Sequence, residues 1–243
     1  MVLTQHTTFV SKKAIISGNI LEVFEYEYPY MQGYQGQNKR GRASKDATQE
    51  NKRNNRTKVL QRARTDIRRL ANANPQLDKF FTLTFKDNIT DIKFANNEFS
   101  KFIKRVKRHY KDLEFQYIAV IEFQKRGAIH YHVLCNLPYT PKAQLQQIWR
   151  NGFVKINQIN NVDNVGAYIT KYMTKDNDDS RLHGYRSYFT SQGLKQPIII
   201  INDIQIDNIV NDNIAIKEPY STVYSNEYLG NIKYTQYHFS TNI

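Results

Sequence analysis

The order of apolar segments after residue 79 constrains the fold of this chain more than any other feature of its sequence. KFFTLTF at 79–85 is apolar and β-branched, which is typical of a buried strand. An amphipathic helical pattern follows, and then FQYIAVIEF and IHYHVLC predict two strands joined by the short turn QKRGA. The series ends with a helix, a strand and a helix, at 141–152, 153–159 and 161–175. This order predicts an α+β fold of the split βαβ type, with helices covering one face of a mostly antiparallel sheet.

The flanking segments are expected to be extensions of this domain. Residues 13–30 predict two short strands around a Ser-Gly-Asn turn, and residues 31–56 are so polar that they predict a flexible loop. Residues 57–72 predict a helix with an apolar stripe that includes Val59, and the tail shows only short β-like runs. We therefore expect an N-terminal extension over 1–75, a central domain over 76–200 and a C-terminal tail over 201–243.

The charge of the chain favours a polyanionic partner. The formal net charge is +13, from 35 basic and 22 acidic side chains, and no amphipathic basic helix with a strong apolar face indicates a membrane. Nucleic acid is therefore the favoured partner, and some of the 17 tyrosines and 13 phenylalanines suit base stacking. The predicted helix at 57–72 carries four arginines, which form either a phosphate-binding face or an ordinary solvated face: Arg62, Arg64, Arg68 and Arg69.

Cysteine content and hydropathy favour a cytoplasmic protein. Cys135 is the single cysteine, so the chain cannot form an intramolecular disulfide. The first residues contain no continuous apolar stretch, and no later run approaches the ~18 apolar residues of a membrane span. We therefore expect a soluble protein of the cytoplasm with no membrane partner.

His130 and His132 are two residues apart in a predicted strand, so both imidazoles point to one face of the sheet. Glu122 lies on the preceding strand across a short turn and can sit beside them. Two imidazole nitrogens and one carboxylate suit Mg²⁺ or Mn²⁺ acting on a phosphate. Zinc is also possible, although the Cys135 thiol points to the opposite face. Taken alone, a His-x-His pair is more often a chance feature of a half-buried strand.

Tyr168 and Tyr172 are four residues apart in a predicted helix, which places both phenols on one face, about 5–6 Å apart at Cβ. Lys171 and Lys175 each follow a tyrosine by three residues. A nearby lysine favours the phenolate, and a metal neutralises charge on an attacked phosphate, so this pattern suits tyrosine attack on a phosphodiester. An amphipathic helix with half-buried tyrosines is the structural alternative.

Together these segments resemble the HUH superfamily of single-strand endonucleases, in particular the rolling-circle replication initiators (Rep proteins) of small plasmids and phages. The resemblance covers residues 79–195 and rests on FFTLTF, AIHYHVL and VGAYITKYMTK in that order. It implies a five-stranded antiparallel sheet with the histidines on a central strand. It also implies a divalent metal held by His130, His132 and Glu122, and cleavage of single-stranded or hairpin origin DNA through a 5′-phosphotyrosine.

The resemblance also implies roles for the tyrosine helix and its neighbours. The segment from Tyr172 resembles the form in which the second tyrosine is the nucleophile, and the segment from Tyr168 resembles the single-tyrosine viral form. We favour Tyr172 as the first nucleophile and Tyr168 as its partner, with two lysines that hold the phosphate or orient the phenol, Lys171 and Lys175. Further DNA contacts are expected from the hairpin turn, at Lys125 and Arg126.

Other functions remain open from the sequence. An HUH transposase or a relaxase would use the same chemistry; transposases are commonly shorter, and relaxases usually carry a third histidine, where this chain has Arg126. A non-catalytic binder of single-stranded nucleic acid is the alternative outside this class, although neither strand motif matches an RNA-recognition domain. No G-x-x-x-x-G-K-[ST] stretch occurs, so we expect a helicase and replication machinery from a bacterial or archaeal host.

Overall fold

The computed structural model describes residues 8–32, 49–157, 159, 164–173 and 185–240. These residues form two compact units, one made of both terminal segments and one that runs from Gln49 to Lys195. The helix that we assigned to an N-terminal extension is therefore part of the same unit as the predicted central domain. The described part of the chain is α+β and contains two antiparallel five-stranded sheets, which confirms the predicted fold class.

The terminal unit pairs the two ends of the chain. Its elements are β1 (Thr8–Ser17), β2 (Ile20–Gln32), β8 (Ile198–Ile200), α5 (Asp203–Asp212), β9 (Tyr220–Asn226) and β10 (Gly230–His238), and its sheet order is β8-β1-β2-β10-β9. The turn between β1 and β2 lies where the sequence predicts it, and Gly18 there has a φ of 63°. Helix α5 was not predicted. Its Ile206, Ile209 and Val210 have helical spacing and face the core, but the surrounding isoleucines conceal that period.

The central unit begins with a long helix and continues with the predicted series. Its elements are α1 (Gln49–Asn72), β3 (Lys79–Phe85), α2 (Ile92–His109), β4 (Tyr117–Phe123), β5 (Ile129–Cys135), α3 (Lys142–Trp149), β6 (Gly152–Asn157), α4 (Val165–Thr170) and β7 (Tyr188–Thr190). Residues 49–56 are thus helical, which makes the predicted loop wrong there, and the rest of it, 33–48, lies outside the described residues. The sheet order is β6-β3-β5-β4-β7, so β5 is the central strand.

One face of the central sheet carries the larger core. Alternate residues of β3, β4 and β5, such as Leu83, Ile121 and Tyr131, pack there against α2 and α3. Trp149 is fully buried in this core and donates its indole N–H to the Thr84 carbonyl at 3.0 Å. Phe94 of α2, which we expected to face inward, is 46% exposed, and Ala95 takes the buried position beside it.

Helices also cover the opposite face, so the prediction of helices on one face is wrong. Ala63, Ile67 and Ala71 of α1 pack there against Phe80 and its neighbours, together with residues of α4. The apolar stripe of α1 begins later than predicted, because Val59 is 60% exposed. In the part of the chain that the structure describes, no helix is both long enough and apolar enough to cross a membrane.

Candidate active site

The two histidines of β5 lie on the face of the sheet that α1 and α4 cover. His130 is opposite Glu122 on β4 and Thr84 on β3, and His132 is opposite Thr82 on β3. Residues directly opposite on neighbouring strands point to the same side, so these five side chains share one face. Both histidines are buried, with exposed fractions of 7% and 3%.

Two contacts fix the His132 ring. Its Nε2 lies 2.6 Å from the Glu122 carboxylate, and its Nδ1 lies 3.0 Å from the Thr82 hydroxyl. The hydrogen bond with His132, together with the charges of both histidines, lowers the pKa of Glu122 although partial burial opposes that effect. The carboxylate is therefore ionised at neutral pH and directed at the imidazole.

His130 carries a buried nitrogen without a hydrogen bond. Its Nε2 has no partner among the described residues, although a buried polar atom of this kind costs free energy unless something binds it. Burial lowers the pKa of His130, and the nearby charge of His132 acts in the same direction. The ring is therefore neutral at pH 7, which is the form that binds a metal ion.

These residues fit the ligand set of a divalent cation in their chemistry. Two neutral imidazoles and one carboxylate face one another, and Thr82 supplies the hydrogen bond from behind that commonly orients a ligating histidine. A cation would take the place of the proton that His132 and Glu122 now share. Within the described residues, no group of three or more His, Cys, Asp and Glu side chains has the arrangement of a metal site. The metal therefore stays a prediction.

Tyr172 stacks on His132. Helix α4 ends at Thr170, earlier than the predicted 161–175, and Tyr172 follows in a tight turn in which its N–H donates to the Ile169 carbonyl. The Tyr172 and His132 rings are 3.7 Å apart between centroids and inclined by 19°. Phe80 lies behind them, with its centroid 5.5 Å from that of Tyr172. The phenol of the late helix and the histidines of β5 therefore meet on one face.

The second tyrosine has a different environment. The Tyr172 hydroxyl donates to the Tyr168 hydroxyl at 3.3 Å, and the Lys171 ammonium lies 5.1 Å from the centre of the Tyr168 ring. Burial raises the pKa of Tyr172, and the hydrogen bond with Tyr168 adds to this effect. Tyr172 is therefore protonated at neutral pH, and the described lysine acts on Tyr168. Lys175 lies outside the described residues.

Helix α1 anchors the start of the tyrosine helix. The Asn72 side chain donates to Asn164 Oδ1 at 3.0 Å and accepts the Gly166 N–H at 2.9 Å, while Asn164 caps α4 by accepting from the Ala167 N–H. A Cβ on Gly166 would overlap the Arg68 carbonyl oxygen, so the two backbones touch. Sequence reasoning missed both contacts, although a glycine inside a predicted helix is a recognised signal of close backbone approach.

The predicted DNA contacts lie on two elements. Arg62 of α1 is exposed, whereas Arg64, Arg68 and Arg69 are half-buried. The pair in the hairpin turn that joins Glu122 to His130 is exposed, Lys125 and Arg126. Nothing in the geometry alone assigns a ligand to either group, and their contact with DNA stays a prediction.

Residues 78–177, less than half of the chain, match a family model of replication-associated proteins, the family of ORF2 and the phage gene 2 protein. The matched segment contains both histidines, Glu122 and both tyrosines of the site. Searches among curated proteins and among solved structures found no match to the chain. The family match supports the role of a replication initiator of the plasmid or phage type, with DNA as its partner at that level of detail.

Proposed function

We propose that this chain is a replication initiator that nicks one strand of origin DNA and stays attached to it through a tyrosine. One observation carries the proposal: the Tyr172 ring stacks on the His132 imidazole at 3.7 Å, on the face that also holds Glu122. A phenol is a nucleophile and a pair of neutral imidazoles is a set of metal ligands, so this contact joins the two parts of a phosphoryl-transfer site. The family match at 78–177 supports the same role.

The residues that would hold the metal are His130, His132 and Glu122. A bound Mg²⁺ or Mn²⁺ would polarise the phosphate and neutralise charge that develops on it. The chain itself keeps the His130 imidazole neutral by burial and keeps Glu122 ionised by its hydrogen bond to His132. Thr82 holds the His132 ring in the orientation that directs Nε2 toward the carboxylate.

In the nicking step, the Tyr172 oxygen forms a bond to the phosphorus and the bond from phosphorus to the 3′ oxygen breaks. The phenol loses its proton and the departing oxygen gains one, so the products are a 3′ hydroxyl and a 5′-phosphotyrosine. One phosphodiester bond replaces another, and attack by the 3′ hydroxyl therefore reseals the strand.

Proton removal from Tyr172 has to accompany this attack, because burial and Tyr168 raise the pKa of the Tyr172 phenol. Tyr168 accepts the hydrogen bond from the Tyr172 hydroxyl and is the first group on the path of that proton. The Lys171 ammonium over the Tyr168 ring favours negative charge there. Tyr168 thus assists Tyr172 in nicking, and it is the candidate for a second attack that ends the reaction.

The test is covalent capture of DNA. The protein is incubated with Mn²⁺ and single-stranded oligonucleotides copied from the DNA that flanks its coding region, and the products are separated on a denaturing gel. We expect an adduct that EDTA abolishes, that Tyr172→Phe removes, and that Tyr168→Phe weakens. Tyr139→Phe is the matched control, because Tyr139 is 86% exposed in the same unit and lies outside the site.

Each contrary result has a distinct meaning. An adduct that survives in the Tyr168→Phe, Tyr172→Phe double variant would refute the tyrosine mechanism. DNA binding without an adduct from any flanking sequence would support the non-catalytic binder. An adduct that forms with transposon ends or a transfer origin, but not with replication origins, would favour a transposase or relaxase.

A further inference from the structure

An exposed aromatic residue lies in the same cross-strand row as the buried histidine. Phe153 of β6 is opposite Thr84 of β3, and Thr84 is opposite His130 of β5. Phe153 therefore belongs to the face of the sheet that carries the candidate site, two strand spacings from His130, or roughly 10 Å. Its side chain is 60% exposed on an edge strand, so the core does not account for it.

Phe153 lines an open cleft of about 470 Å³. Phe94, which is also largely exposed, lines the same cleft, together with two basic residues, Lys86 and Arg150, and one acidic residue, Asp87. The volume lies within the range of small-molecule sites. Two aromatic rings beside cations form the kind of surface on which nucleic-acid bases stack.

A second cleft of about 320 Å³ adjoins the first, because Arg150 lines both. Its other charged or titratable lining residues are Arg105, Arg108 and His109, and its lining contains no acidic side chain. The Arg105 guanidinium is held in place by donating to the Ile148 and Trp149 carbonyls at 2.6 and 2.8 Å. Several cations without an acidic neighbour in one cleft favour an anion such as a backbone phosphate.

Arg150 occupies an unusual backbone position. It follows the last residue of α3 with a φ of 68°, a conformation that glycine adopts at lower free-energy cost. The turn itself therefore does not require an arginine. Its guanidinium is the group that the two clefts share, which makes it the natural point of contact for a phosphate that joins a base in one cleft to backbone in the other.

We infer that single-stranded DNA beside the cleaved phosphate crosses the edge strand β6, with a base stacked on Phe153 and a backbone phosphate bound by Arg150. This inference rests on the proposed function for the identity of the ligand and extends it with a second binding site. Phe153 and Arg150 would then fix which nucleotide lies over His130 and Tyr172. The net positive charge of the clefts complements the strand that they would bind.

The first experiment measures binding without chemistry. Fluorescein-labelled dT20 is titrated with the full chain in EDTA, and its anisotropy gives the Kd. We expect Phe153→Ala to weaken binding about fivefold or more, as loss of one base stack does. Phe153→Trp is expected to bind like the wild type, and its added emission should be quenched by dT20. Tyr139→Ala removes an equally exposed aromatic residue outside both clefts and should leave Kd unchanged.

The second experiment isolates the phosphate contact. Arg150→Gly preserves the turn, because glycine accepts the positive φ, and removes only the charge. We expect the slope of log K against log salt concentration to become shallower by about 0.7, the value for one phosphate on a single strand. Lys195→Ala removes an exposed cation that lines neither cleft and should leave the slope unchanged.

The outcomes separate this inference from the proposed function. A Kd for Phe153→Ala within about twofold of the wild type, or tryptophan emission that saturating dT20 does not change, would overturn the inference even if the adduct forms. Weakened binding in both cleft variants with no adduct from the wild type would uphold the inference and refute the nicking function.

Discussion

A methyl group at residue 166 is the most direct test of how α1 holds the tyrosine helix. A Cβ on Gly166 would overlap the Arg68 carbonyl oxygen and lie 2.8 Å from both the carbonyl carbon and Cα of Arg68. These are backbone atoms that no side-chain rotation can move, so α4 has to shift away from α1. Such overpacking typically costs about 1–3 kcal/mol. Alanine otherwise stabilises a helix by about 1 kcal/mol relative to glycine, and we expect a net loss of about 1–2 kcal/mol.

The assay combines urea unfolding, followed by Trp149 fluorescence, with the rate of adduct formation. Ala167→Gly is the matched control, because it removes a methyl group from the next position of α4 and costs about 1 kcal/mol through helix propensity alone. Both variants should lose similar stability, but only Gly166→Ala should slow adduct formation, because only it displaces Tyr172 from His132. A stabilised Gly166→Ala variant, or one that forms the adduct at the wild-type rate, would refute the close contact.

Three further predictions concern other buried groups. Asn72→Ala leaves the Gly166 N–H and the Asn164 cap without a partner, and urea unfolding should show a loss of about 1–3 kcal/mol; an unchanged midpoint would contradict this. Burial raises the pKa of Cys135 to about 12, so its thiol should resist dithionitrobenzoate at pH 8 until urea unfolds the chain, and labelling of the native protein would count against it. Burial lowers the pKa of His130, so the unfolded chain binds more protons below about pH 6.5, and the free energy of unfolding should fall from pH 7 to pH 5. His130→Phe should reduce that slope, and an equal slope in both proteins would exclude His130 as its source.

The histidine strand could be predicted from the sequence because its geometry is local. A period of two fixes which side chains share a face, so the pair at 130 and 132 and the opposite orientation of Cys135 follow from the strand assignment. The short turn between β4 and β5 limits the possible registers, and the one observed places Glu122 directly opposite His130. Local rules therefore sufficed for these residues.

Placement of the helices could not be predicted because it is not local. The apolar stripe of α1 shows that one side of the helix is buried, but a stripe does not identify the sheet face that buries it. Ala63 and Ile67 pack on the histidine face through contacts with strands that lie far along the chain. The same holds for the terminal sheet, in which Ala14 of β1 is paired with Ile200 of β8. Both arrangements depend on tertiary contacts that no short window of sequence contains.

The two tyrosines show how a correct spacing still leaves the chemistry undetermined. Four residues on an ideal helix would give two phenols similar surroundings, one turn apart. Instead the helix ends at Thr170, and the tight turn that follows lays Tyr172 flat on His132 while Tyr168 remains beside Lys171. One phenol therefore contacts a candidate metal ligand, and the other contacts a cation and accepts the first one's hydrogen bond. This asymmetry, which arises where the helix stops, is the physical basis for assigning attack to Tyr172 and assistance to Tyr168.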